Sequence, residues 1–201
     1  MMLEQELRNQ EVMSLKDQTE LLIRAGYPKE LGMSEDEYED EAAIAVALSD
    51  PLKNTIPTLV EQRIDFKRQL DLLGLALDPA VFTFPSTQEN NLTVSHLFVI
   101  SRMYGAEGGM TLPAIAESLK EPLRPANPFE TLPVYESVLK KSNVALIGGS
   151  FDKLPGLQTG SEEIRRMLVL ENFLGKPRIS YEFSENKDAY LGLLVAQKHN
   201  D

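Results

Sequence analysis

"PRISYEFSENKDAYLGLLVAQ", residues 177–197, holds two strands of different kinds and the turn between them. In the first, Ile179, Tyr181 and Phe183 alternate with Ser180, Glu182 and Ser184, the period of a strand with one face on a core and one in water. The second, "DAYLGLLVAQ", is apolar at successive positions, so it is covered on both faces: central in its sheet, or buried against a second copy of the chain. "SENKD" reads as a hairpin turn joining the two, with Asn186 suited to left-handed backbone.

Working back from this pair, "RMLVLENFLG" at 166–175 and "VALIG" at 144–148 read as further strands. So do "HLFVISRMY" at 96–104, "AVFTF" at 80–84 and "IPTLVEQRI" at 56–64. Short helices are expected in "DFKRQLDLLG", between an Asp65 cap and a Gly74 stop, in "TLPAIAESLKE" with Thr111 as its cap, and in "VYESVLKK". "EPLRPANPFETLP", with four of the twelve prolines, is an extended crossing that leaves room for a helix beginning near Phe129.

The first fifty residues are helical in pattern. Ser14 followed by Asp17 caps a helix over 15–25; Gly26 supplies its left-handed end and Pro28 forbids continuation. Ser34 with Glu37 opens a second helix, in which Tyr38, Ala42, Ala45 and Leu48 follow at helical spacing before Pro51 closes it. Its opening run "EDEYEDE" has six carboxylates, but acidic side chains are favoured by the macrodipole in a first turn and no calcium-loop glycine is present, so the run reads as a solvated helix start.

Together these patterns predict one α+β domain over 1–201. A helical part, 1–54, precedes a sheet-containing part, 55–201, whose mixed or antiparallel sheet carries short helices on one face. Composition agrees: 201 residues with 42% hydrophobic and 25% charged are globular values. The net charge of −11 repels phosphate backbones and anionic lipid, so neither nucleic acid nor membrane is an expected partner. Absence of cysteine removes disulfides, thiolate nucleophiles and cysteine metal sites. The opening residues lack the apolar core of a secretory signal, and "AAIAVAL" at 42–48 is far too short to span a bilayer, which places the expected chain in the cytoplasm.

One stretch invites a catalytic reading. "VALIGGSFDKLPGL", 144–157, resembles the first-strand motif of adenylyl-transferring nucleotidyltransferases, in which a His-x-Gly-His pair follows and stabilises phosphate charge. Here the equivalent residues are "KLPGL", and the only histidines, His96 and His199, lie elsewhere. The glycine pair Gly148–Gly149 is equally explained by a bulge or a close backbone approach. No Walker loop, nucleophile elbow or zinc motif is present.

Two groups of residues are similar to an uncharacterised bacterial family, the domain of unknown function 5701. One is "LKDQTELLIRAGYPKELGMSEDEYEDEA", a helix ending in Gly-Tyr-Pro before a serine-opened acidic helix; the other is "LIGGSFDKLPGL" with "GKPRISYEFSENKDAYLGLLVA". They cover about a third of the chain. Phe151 stands where that family tends to have arginine, and Tyr181 and Phe183 where it favours tryptophan. The resemblance implies a shared fold and no reaction.

The reading that follows is a binding or interaction domain without catalysis, cofactor or metal, acting on a protein partner or a second copy. The alternative is an enzyme or small-ligand binder with its site at the 148–156 loop and the 184–188 turn, formed by Ser150, Asp152, Tyr181 and Asn186.

Overall fold

The computed structural model describes residues 13–52, 55–77, 91–103, 123–134, 145–151, 166–174, 176–183 and 190–197. The strand expected at 80–84, the helix at 111–121 and most of the helix at 134–141 lie outside them.

The chain is α+β, with helices preceding a mixed sheet. Helix α1, Leu15–Ala25, starts at a capping box: Ser14 Oγ accepts from the Asp17 amide at 3.1 Å while the Asp17 carboxylate accepts from the Ser14 amide at 3.2 Å. It ends at Gly26, φ 91°. Pro28 stops that helix as expected, but it also sits in the first turn of a short helix α2, Tyr27–Leu31, where its missing N–H has no partner to lose. Gly32, φ 73°, then turns the chain to Ser34, whose box with Glu37 opens α3, Glu35–Leu48.

Strand β1, Ile56–Val60, pairs antiparallel with β3, Thr93–Met103. Between them lie α4, Phe66–Leu72, capped by Asp65, and the two-residue β2, Ala76–Leu77. There follow β4, Leu123–Pro125, and a helical turn α5, Pro128–Thr131, opened by Asn127. The remaining strands are β5, Ala145–Phe151, β6, Arg166–Phe173, β7, Lys176–Phe183, and β8, Tyr190–Gln197.

The strand order is β1-β3-β8-β5-β6-β7-β2, with β4 beside β8. The doubly apolar strand is therefore central. β3 runs antiparallel along one side of β8, while β5, parallel, and β4, antiparallel, share the other. Among the described residues β7 pairs with β6 and β2 and not with β8, so the two strands flanking "SENKD" are not the hairpin partners expected. A strand with both faces apolar suits the inside of a covered sheet. The wet face expected in β7 is not found at Ser180, which is buried along with its neighbour Ile179 on the opposite face. The hairpin falls one connection earlier, where Phe173 and Lys176 close β6 onto β7 through Leu174.

Alternation along β1 and β3 separates two cores. Leu59 and Val94, register partners, face α1–α3 and pack with Leu22, Tyr27, Tyr38, Ala42 and Ala45. Ser95, one residue on, points the other way and donates to Glu130 in α5 at 2.8 Å. The two short helices also touch: the Phe66 ring of α4 and the Phe129 ring of α5 pack edge-on at 5.1 Å between centroids.

Candidate functional site

Of the four residues singled out from sequence, the described structure places two. Ser150 lies in β5 opposite Met167 of β6, and Tyr181 lies in β7 opposite Leu168, so the two occupy successive register rows with β6 between them. Asp152 and Asn186 lie outside the described residues. The glycine stretch is itself strand: β5 continues to Phe151, and the register with β6 shifts between Gly148 and Ser150, a β-bulge at Gly149.

Other chemistry-bearing side chains are engaged structurally. His96 is nearly buried in β3, and its Nδ1 meets Thr55 Oγ1 at 3.1 Å. Thr55 donates its own hydroxyl to the Leu52 carbonyl at 2.9 Å, so in this contact the imidazole is the donor. That anchors the entry to β1.

Glu61, Arg63 and Glu41 form a polar knot at the end of β1. Arg63 grips the buried Glu61 carboxylate with Nε at 2.9 Å and a terminal nitrogen at 2.8 Å, and reaches Glu41 of α3 at 2.8 Å. The Glu61 bond holds the guanidinium firmly charged. The Tyr38 hydroxyl is buried beside this knot, and desolvation, then the Glu61 carboxylate, push its pKa far up. With Arg63 on both Glu61 oxygens, no hydrogen bond of ordinary length reaches that hydroxyl. This cluster is closed and ties α3 to the sheet. Among the described residues no three histidine or acidic side chains form a metal-sized group.

What is open is the outer side of α3. The spacing of Tyr38, Ala42 and Ala45 faces the core as expected, but Leu48 is 81% exposed and Ile44 59% exposed. Ala43, Val46 and Ala47 are exposed with them. The sequence contained the signal: "AAIAVAL" is apolar on every side, and one helix face alone can pack against a sheet. One or two turns toward the N-terminus the same helix exposes Asp36, Glu37, Glu39 and Asp40. The site that emerges is thus a surface, apolar at one end and anionic at the other.

The chain matches no family model, no curated protein and no solved structure. Among the described residues no helix is long and apolar enough to cross a membrane.

Proposed function

We propose that the chain is a cytoplasmic binding domain without catalysis, cofactor or metal, and that its contact surface is the outer face of α3. The observation that supports this is the exposure of Ile44 and Leu48 together on a helix whose other face is fully packed. Apolar residues grouped on a surface mark places where another molecule excludes water. Neither nucleic acid nor an anionic bilayer suits a chain of charge −11. A fold shared with the 5701 family belongs to the same proposal and supplies no reaction.

A photo-crosslinking residue placed at Ile44, with exposed Lys16 as control, tests the reading in cells expressing the chain. The Ile44 position is expected to trap one protein that rebinds when both are purified, and the Lys16 position is not. Equal labelling at both positions, or none, overturns it. A thermal-shift panel of nucleotides and metabolites is expected to be silent; a ligand at 100 times its Kd adds about 2.7 kcal/mol, and such a shift moves the reading to a small-molecule binder.

A further inference from the structure

Resting on the α3 surface as the contact face, we infer that its occupant is a basic amphipathic helix of another protein. Three features of α3 select it. Ala43 and Ala47 lie one turn apart in a row that continues through Asp40 and Asp36, and all four are exposed. The alanine part of that row is shallow, flanked by Ile44 and Leu48 on one side and Val46 on the other, so a second helix can approach to the usual 8–10 Å and seat Leu-sized side chains over the alanines.

The acidic part fixes the sign of the partner. Asp36 and Asp40, with Glu37 and Glu39 beside them, carry the row onward, and α3 contains no lysine or arginine. An occupant that covers the apolar half therefore meets, within two turns, carboxylates with no ion-pair partner among the described residues. Lys or Arg at that distance from its apolar residues complements them; carboxylates there are repelled. A second copy of α3 fails in both orientations: parallel pairing sets carboxylate against carboxylate, and antiparallel pairing lays each acidic half over the other's apolar half. Anionic lipid is repelled by the same side chains.

The test uses the full chain and two fluorescein-labelled helical peptides with one leucine pattern, the first carrying lysines and the second glutamates at its polar positions. Anisotropy at physiological salt is expected to show the Leu/Lys peptide binding at least tenfold more tightly than the Leu/Glu peptide. Ile44→Glu with Leu48→Glu decides between docking and bulk charge, because the variant is more acidic yet has lost the apolar seat. Docking predicts at least a tenfold loss of Leu/Lys binding, whereas simple attraction predicts a gain. A complementary pair, Asp36→Lys with Asp40→Lys, is expected to reverse the preference between peptides. Equal binding of both peptides, binding retained by the Ile44/Leu48 variant, or co-sedimentation of the chain with phosphatidylserine vesicles overturns the inference. If Ile44 still crosslinks a protein while the Leu/Lys peptide fails, the contact surface stands and the basic-helix partner falls.

Discussion

The side chain of Gln18 occupies the place of a neighbouring strand beside Leu59. Its Oε1 accepts from the Leu59 amide at 2.9 Å, and its Nε2 donates to the Pro57 carbonyl at 2.8 Å and to the Met13 carbonyl at 3.1 Å. β1 is the end strand of the sheet, and these are the backbone groups it turns outward. Pro57 has no amide to leave unmatched there, which is why proline is tolerated in this strand. One buried glutamine on α1 thus closes an edge that otherwise invites pairing with another chain.

Gln18→Met keeps the volume and removes both bonds to β1. Leaving the Leu59 amide and the Pro57 carbonyl buried without partners is expected to cost about 3 kcal/mol in urea denaturation, with increased aggregation at high concentration. A loss below about 0.5 kcal/mol contradicts the assignment.

Leu174 and Gly26 share left-handed backbone, φ 52° and φ 91°, but have opposite residues for it. Leu174 is 88% exposed at the β6–β7 turn, so its side chain gains little from packing. Leu174→Gly is expected to raise stability by about 1 kcal/mol, and Gly26→Ala to lower it by about as much. A Cβ at Gly26 comes no nearer than 4.0 Å to Leu72, so the loss is conformational rather than a clash. Chemical denaturation of both variants checks the signs.

Tyr38→Phe and Glu61→Gln separate the two parts of the buried knot. The Tyr38 hydroxyl is desolvated without a hydrogen bond, so its removal is expected to be neutral or stabilising by up to about 1 kcal/mol. Glu61→Gln takes away the charge that Arg63 holds by two bonds and is expected to cost about 2 kcal/mol. Thermal melts of the two variants moving in the same direction, both downward, contradict this division.

Three exposed carboxylates make stability fall in acid. Hydrogen bonds from Ser14 lower the pKa of Asp17, those from Ser34 lower that of Glu37, and Arg68 lowers that of Glu30. A depressed folded value means stability that is complete above the ordinary values, 3.8 for Asp17 and 4.5 for the two glutamates, and lost as pH falls through the folded ones. The urea midpoint is expected to be level from neutral pH to about 5 and to drop below that. Glu37→Gln lowers it at neutral pH and converges with the natural chain in strong acid; a gap that persists there contradicts the capping role.

The helix boundaries were legible because capping is local. Ser14 with Asp17, Ser34 with Glu37, and Asp65 each meet backbone amides within three residues, so the segments around them carry the whole signal. The period-2 pattern around Ile179 and the unbroken apolar run in β8 likewise identified strands and the α+β class. The glycine pair carried two readings in sequence, and the register of β5 against β6 places a bulge there. Of the expected site, only the backbone positions of Ser150 and Tyr181 are described, in successive rows on either side of β6.

Tertiary structure decided what depends on partners distant in the chain. Turn residues at "SENKD" announce a change of direction, but which strand β8 joins depends on partners distant in the chain, and it inserts between β3 and β5 away from β7. Leu48 continues the helical spacing of Tyr38 and Ala45, yet the sheet beneath α3 covers one side only, and Leu48 is left in water. Gln18 and Gln69 look like surface residues in sequence. Gln18 is buried because its amide satisfies the backbone of Leu59 and Pro57, and Gln69 because its amide donates to the Glu61 and Ile64 carbonyls and accepts from the Tyr27 hydroxyl; no local pattern encodes the bonds from Gln18 to β1 or from Tyr27 to Gln69, each some forty residues apart.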